Sequence, residues 1–172
     1  MKRIFLFVMI LFLVCGCKKN NNELIMVTEA GFAPYEYYKN GEVVGVDIDI
    51  ANEIAKELNK KLVVKDIDFH AIINEVKTGK ADFGAAGISY SDERAKEVDF
   101  SINYSTSKQV VIVKENSNLD NLEDKKIAVQ LGSIADTFVT KQYKKADIVR
   151  QKKYLAAIED LKANKVDCVV MD

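Results

Sequence analysis

The amino-acid sequence predicts an α/β protein made of two similar lobes, and three observations lead to this fold class. Apolar runs of strand length alternate with segments of helical periodicity. The segment 71–87 closely resembles the segment 156–172. Charged and hydroxyl side chains follow several of the predicted strands, where α/β sheets bind ligands.

The composition excludes several classes of protein. The 172 residues are 48% apolar and 30% charged with a single proline, as in globular proteins and unlike disordered or collagen-like chains. A chain of this length buries enough surface for a real core. The formal net charge of −1 leaves no broad basic surface, so we do not expect a nucleic acid as a partner.

The start of the chain has the pattern of an export signal. Lys2 and Arg3 precede an unbroken apolar run over 4–14, which is too short to cross a bilayer unaided. We therefore expect a signal peptide over 1–16, with Cys17 and a polar tether over 17–22. Residues 14–17 resemble a bacterial lipobox, which implies an acylated Cys17 and a protein anchored by lipid in the periplasm or on the outer face of the cell membrane. The alternative is ordinary cleavage with an unmodified Cys17.

The first lobe is expected over 23–110, and its elements alternate in the order β, α, β, α, β. Strands are predicted over 24–28, 62–67 and 81–85, with a hairpin at Asn40-Gly41 and a helix over 69–78 that ends at Gly79. Asp47 is expected to cap another helix. The apolar positions of that helix fall on one face and are Ile48, Ala51, Ile54, Ala55 and Leu58. Such alternation predicts a parallel sheet wound with helices.

The second lobe is expected over 111–172, with a polar, loop-like stretch over 116–124 near the boundary. Its prediction depends on the internal resemblance, in which Lys80 matches Lys165 and Asp82 matches Asp167. Two generic βα units would share some of these identities, but the matched order of elements favours two similar lobes. Cys168 lies in an apolar run and is expected in the core, so no intrachain disulfide is predicted.

The candidate ligand site lies at the carboxyl ends of the strands, which two facing lobes would bring to one cleft. Ser91 is a candidate N-cap that places Arg94 in a first helical turn, where a cation opposes the helix dipole and a bound anion explains it better. The Ser89 hydroxyl and the amides that open a helix at 132–134 are further contacts for an anion. Asp172 supplies the opposite charge, so these residues predict a receptor for a small zwitterion. The alternative for Arg94 is a surface ion pair with a neighbouring acid.

Several ordered motifs resemble one protein family. They are Val27-Thr28-Glu29, Pro34-Tyr35-Glu36, Val44 to Asp49, Asp68-Phe69, Gly84 to Ser89, Asp92 to Lys96, Val98 to Ser101, Ala128 to Ser133 and Val166 to Asp172. Together they resemble the polar amino acid-binding branch of bacterial extracytoplasmic solute-binding proteins, family 3, which serve ABC importers. The resemblance covers nearly all of 23–172 and implies the two-lobed, type II periplasmic-binding-protein fold with a ligand cleft between the lobes.

The resemblance also implies a role for each site residue. Arg94 would hold the ligand α-carboxylate with Ser89 and the backbone of Ser133 and Ile134, and Asp172 would hold the α-ammonium with Ser89 and the carbonyl of Ala86 or Gly87. Phe32 and Phe69 would sandwich the ligand side chain, although both residue types are more often core. Glu29 and Gln130 would meet its far end, where an acidic Glu29 favours a cationic or amide side chain over an acidic one.

The implied protein is a monomer that needs no cofactor and delivers a free amino acid to the membrane permease of an ABC importer. Family members continue past the residue that matches Asp172, so the resemblance implies that the C-terminal part of the fold is missing. A truncated gene product and a partial sequence would both explain this, and a truncated fragment without function is one alternative.

Two further groups of residues bear on alternative functions. We expect no enzyme, but a dehydratase on the same fold, acting on a cyclohexadienyl substrate or arogenate, would use Glu29 as its acid or base. His70 is the sole histidine, with no second ligand at metal spacing, so no metal site is predicted. The lysines at 141, 144, 145, 152 and 153 are expected on a solvated face, or alternatively on a surface that docks the permease.

Overall fold

A computed structural model describes residues 22–115, 117 and 119–172. The predicted signal peptide, Cys17 and all of the tether except Asn22 therefore lie outside the described residues, as do residues 116 and 118 of the predicted boundary stretch. Within the described part of the chain, no helix has both the length and the hydropathy that a membrane span needs.

The first lobe is built on a parallel sheet with an adjoining hairpin sheet. Its elements are β1 (Glu23–Thr28), β2 (Gly31–Phe32), β3 (Glu36–Lys39), β4 (Glu42–Val44), α1 (Val46–Glu57), β5 (Lys61–Asp66), α2 (Ile72–Lys77), β6 (Phe83–Gly84) and α3 (Asp92–Ala95). The parallel sheet has the order β5-β1-β6, and β2, β3 and β4 form the antiparallel one. The predicted hairpin is confirmed, because Asn40 and Gly41 have φ values of 53° and 86°, the left-handed turn that joins such strands.

Helix α1 differs from the sequence prediction in two respects. Asp47 is not its cap: the helix begins after Gly45, whose φ of 134° favours glycine, and Asp47 lies inside the first turn and is buried. The buried stripe is also narrower than predicted. Ile54 and Leu58 remain 41% and 54% exposed, because the sheet covers only the part of the helix that carries the other three apolar residues.

The second lobe is built on a mixed sheet of four strands. Its elements are β7 (Val110–Ile112), β8 (Lys126–Gln130), α4 (Ile134–Gln142), β9 (Asp147–Gln151), α5 (Tyr154–Lys162) and β10 (Cys168–Met171). The order is β7-β10-β8-β9, with β7 antiparallel to β10 and the other pairs parallel. Val110 already pairs with Met171 in this sheet, although the sequence analysis places it at the end of the first lobe.

The internal resemblance corresponds to a shared arrangement of strands and turns. The orders β5-β1-β6 and β9-β8-β10 are equivalent. Asp82 and Asp167 each accept a hydrogen bond from a backbone amide of the neighbouring parallel strand, at 2.8 and 2.7 Å. Gly79 and Asn164, which end the preceding helices, have φ values of 71° and 58°. Matching positions therefore carry out the same structural tasks in both lobes.

Each lobe has its own apolar core between its sheet and its helices. Met26 and Ile72 are fully buried in the first lobe, and Val129 and Val169 in the second. Cys168 is also fully buried as a free thiol, which confirms its prediction as a core residue, and burial raises its pKa to about 11. The two cores leave the carboxyl ends of the parallel strands facing each other across a cleft.

Candidate functional site

All eleven residues predicted to contact a ligand line one cleft between the lobes. They are Glu29, Phe32, Phe69, Ala86, Gly87, Ser89, Arg94, Gln130, Ser133, Ile134 and Asp172. The cleft is narrow, with side chains of both lobes closing over it. Glu36 and Tyr154 also line it and were not predicted.

Arg94 is held at one end of the cleft by contacts to both lobes. The Ser91 hydroxyl oxygen accepts a hydrogen bond from the Arg94 amide at 3.2 Å, which confirms the predicted N-cap. The guanidinium donates to the Ser89 carbonyl at 2.7 Å and, across the cleft, to the Gly132 carbonyl at 2.9 Å. It also lies 5.5 Å from the centre of the Phe69 ring. These two hydrogen bonds use part of the five-donor fork and leave capacity for a carboxylate.

Asp172 lies at the same end of the cleft beside an aromatic residue that the sequence analysis missed. The Tyr154 hydroxyl lies 3.4 Å from the Asp172 carboxylate, and the Tyr154 ring packs 5.8 Å from that of Phe32. Burial raises the pKa of Tyr154, while the nearby Asp172 opposes the lowering of the Arg94 pKa by burial. The internal repeat carries a signal for Tyr154, because Phe69 is its counterpart in the first lobe.

The start of helix α4 provides part of the predicted anion contact. Ser133 is its N-cap, and the hydroxyl oxygen accepts from the Asp136 amide at 3.1 Å, as the sequence analysis expected of a helix start. The Ser133 amide, however, donates to the Gln130 carbonyl at 3.1 Å, and the Gly132 amide donates to the Asp136 carboxylate at 3.1 Å. The Ile134 amide is therefore the better placed of the two predicted backbone contacts.

Glu29 forms the far end of the cleft and is almost completely buried, with 1% of its surface exposed. Gln130, itself 2% exposed, donates from its amide nitrogen to the Glu29 Oε2 atom at 3.0 Å. The Lys153 ammonium lies 3.1 Å from Oε1. Burial raises the pKa of Glu29, and Lys153 and Gln130 oppose that shift by stabilising the carboxylate.

Lys153 corrects the prediction of a solvated lysine face. Lys141, Lys144 and Lys145 are exposed as predicted, and Lys152 is exposed but forms an ion pair with Asp68 at 2.7 Å. The side chain of Lys153 is only 36% exposed and reaches from the second lobe to Glu29 in the first lobe. Sequence spacing gives no signal for this contact, because the two residues meet only when the lobes face each other.

Glu36 is a second carboxyl group in the cleft that the sequence analysis did not assign to the site. It is fully buried, and neither of its oxygens accepts a hydrogen bond from the described residues. Burial, and after it the neighbouring Asp47, raise the pKa of Glu36 to about 10, so the group is uncharged near neutral pH. Asp47 accepts hydrogen bonds from the Gly87 amide at 2.9 Å and the Tyr104 hydroxyl at 2.8 Å. Tyr38, two residues along the same strand, is exposed, so a position in the hairpin does not by itself predict that Glu36 is buried in the cleft.

The cleft shows no arrangement for metal chemistry in the part of the chain that the structure describes. His70 is exposed, and no three metal-ligating side chains come together within these residues. The cleft thus has a cation and an anion at one end, aromatic walls, and at the other end a carboxylate that forms an ion pair with a lysine.

Comparison with known proteins identifies the family. Residues 24–166 match the bacterial extracellular solute-binding proteins, family 3. The arginine-binding extracellular protein ArtP of Bacillus subtilis is 35% identical over 124 residues, which is 70% of this chain and 49% of that protein. A probable histidine-binding protein of Campylobacter jejuni is 34% identical over 149 residues, which is 84% of this chain and 58% of that protein. The chain spans about half the length of these curated relatives.

A solved structure shows the same fold. An ancestral arginine-binding protein bound to glutamine has a TM-score of 0.84 and 36% sequence identity, over 90% of this chain and 71% of that one. This likeness confirms the predicted two-lobed α/β fold. With the motifs, the fold and the family match in agreement, the chain belongs to the bacterial extracellular solute-binding proteins, family 3.

Proposed function

We propose that this protein binds a free polar amino acid in the cleft and serves, as a monomer, as the solute-binding component of an ABC importer. The observation that carries the proposal is that Arg94 and Asp172 line the same end of one small cleft. A free amino acid has a carboxylate and an ammonium on one carbon atom, so it matches both charges at once. The guanidinium fork suits a carboxylate, which it can hold through two parallel hydrogen bonds.

The walls of the cleft support a single extended side chain between the lobes. Phe69 lies under the Arg94 guanidinium, and Phe32 packs beside Tyr154, so aromatic surface comes from both lobes. Aromatic rings bury large apolar area with few rotatable bonds, which suits a closed ligand site. A ligand in this position would bridge the lobes, because its contacts to Arg94 and to Ile134 come from helices of different lobes.

At the far end, Glu29 and Gln130 favour a cationic or amide side chain over an acidic one. A ligand carboxylate would meet the buried Glu29 carboxylate, and two desolvated like charges are costly. The relatives are in keeping with this selectivity, since their names record arginine and histidine, and the ancestral structure contains glutamine.

Thermal unfolding with each common amino acid tests the proposal. A ligand at about 100 times its dissociation constant stabilises the folded state by about 2.7 kcal/mol, which raises the midpoint by roughly 5–10 °C at this chain length. We expect such a shift with one chemical class of amino acid, and its loss in Arg94→Ala. The exposed Lys96→Ala removes a charge from the same segment and should leave the shift intact. No shift with any amino acid would refute the proposal.

We infer binding rather than catalysis, although a dehydratase remains the second candidate because the raised pKa of Glu29 makes it a possible acid in the cleft. Gln130 and Lys153 both contact this carboxyl group. These contacts hold the group in place, which argues against a role in transferring protons. Incubation with arogenate and prephenate, followed by chromatography, tests this point. Formation of the dehydrated product at a rate above that of the Glu29→Gln variant would favour the enzyme.

We also propose that the protein is exported and anchored by lipid at Cys17, next to its membrane permease. The support is the sequence around Cys17 together with the extracellular character of the family. Fractionation of cells that express the full chain should find it with membranes, and Cys17→Ala should release it. Cys15→Ala changes the same segment without removing the acceptor thiol and is expected to stay in the membrane fraction. If neither variant is released from the membrane fraction, the result contradicts an anchor at Cys17.

A further inference from the structure

We propose that Lys153 determines which side chains the cleft accepts, and that it favours a neutral amide over a cation. The inference rests on the proposed function, since it concerns the far end of the same amino-acid site. It assigns a specificity role to a lysine that the sequence analysis expected on a solvated face.

Lys153 supplies a cation to the far end of the cleft from the opposite lobe. The residue immediately precedes helix α5 of the second lobe, and its ammonium lies 3.1 Å from Glu29 and 3.1 Å from Asp66, both in the first lobe. The Glu29 carboxylate therefore has an ammonium beside one oxygen and the Gln130 amide beside the other. Oε2 accepts a hydrogen bond, whereas Oε1 has the ion pair with Lys153 but no hydrogen-bond partner among the described residues.

The other carboxyl groups near this end share the same ammonium or are neutral. Asp66 accepts hydrogen bonds from the Ala30 amide at 2.9 Å and the Tyr38 hydroxyl at 3.2 Å in addition to its ion pair with Lys153. Glu36 is buried in an environment that keeps it protonated near neutral pH. In the described part of the chain, one ammonium is thus shared by two carboxylates, and it already lies beside the Glu29 oxygen that an incoming cation would approach.

A cationic and an amide side chain would meet this arrangement differently. A guanidinium or ammonium would have to share Glu29 with the Lys153 ammonium, and the burial of Glu29 leaves little water to screen the repulsion. A carboxamide carries no net charge, and it can exchange hydrogen bonds with Gln130 and Glu29 without displacing the lysine. The geometry consequently selects against the cation.

Calorimetric titration of the full chain with glutamine and with arginine tests the inference. We expect wild type to bind glutamine more tightly than arginine, and Lys153→Met to shift the ratio of the two dissociation constants towards arginine by at least about tenfold. Lys152→Met is the matched control: it removes the same charge one residue away and an ion pair that also joins the lobes, but it does not contact Glu29. Its ratio should stay within about twofold of wild type.

The outcomes separate the inference from the proposed function. Tighter binding of arginine by wild type, or an unchanged ratio in Lys153→Met, would overturn the role of Lys153 while amino-acid binding stands. If Lys153→Met does not fold, Lys153→Gln keeps a polar side chain at the position, and the wild-type ratio still decides. Absence of binding by every amino acid would refute the proposed function and the inference together.

Discussion

Replacing Glu36 by glutamine should make the stability of the protein less dependent on pH. Glu36 is fully buried and accepts no hydrogen bond from the described residues, and its pKa is raised from 4.5 to about 10, first by burial and then by Asp47. The folded protein therefore keeps a proton on Glu36 that the unfolded chain releases at a much lower pH. Glutamine has nearly the same shape and does not titrate.

The sign and the size of the effect follow from the proton balance. Because the folded state binds the extra proton, the stabilisation from neutral Glu36 is complete below the unfolded pKa of 4.5 and is lost as the pH rises towards the folded value of about 10. One proton corresponds to a slope of about 1.4 kcal/mol per pH unit. Between about pH 6 and about pH 8, wild type should therefore lose roughly 3 kcal/mol more of its free energy of unfolding than Glu36→Gln loses.

Urea unfolding followed by circular dichroism at a series of pH values measures this difference, with the free energy taken by linear extrapolation. Glu42→Gln is the matched control, because Glu42 lies on the next strand of the same hairpin sheet and is exposed. Its pH profile should follow that of wild type. Parallel profiles for wild type and Glu36→Gln would refute the reasoning, because they would mean that Glu36 ionises in the folded protein as readily as in the unfolded chain.

Three substitutions test other contacts. Arg94→Lys keeps the charge but loses the planar fork, so calorimetry should show amino-acid affinity reduced at least about tenfold, and unchanged affinity would contradict a carboxylate contact. Gly84→Ala places a methyl group 2.5 Å from a side-chain carbon of the fully buried Ile72, and urea unfolding should show a loss of about 1–3 kcal/mol. Tyr104→Phe removes the hydroxyl that donates to buried Asp47, with an expected loss of about 1–3 kcal/mol; wild-type stability would argue against the bond.

Most of the local structure was predictable from the sequence. The strand over 24–28, the turn at Asn40-Gly41 and the helix start at Ser91 all depend on residues close together in the chain, and the structure has all three. Turn and cap preferences act over a few residues, so a sequence records them directly. The rule that ligands meet the carboxyl ends of strands, together with the resemblance to the family, gave eleven candidate residues, and all of them line one cleft.

The tertiary structure alone decided how the carboxyl groups are paired. From the sequence, Asp47 was predicted to be a helix cap and Lys153 a surface lysine. In the fold, Asp47 is buried against Gly87 and Tyr104, and Lys153 forms an ion pair with Glu29. Glu36 looked like an ordinary hairpin residue, but burial keeps its carboxyl group neutral. Charge state and partner choice depend on which groups from distant parts of the chain share a desolvated space, and local sequence pattern does not contain that information.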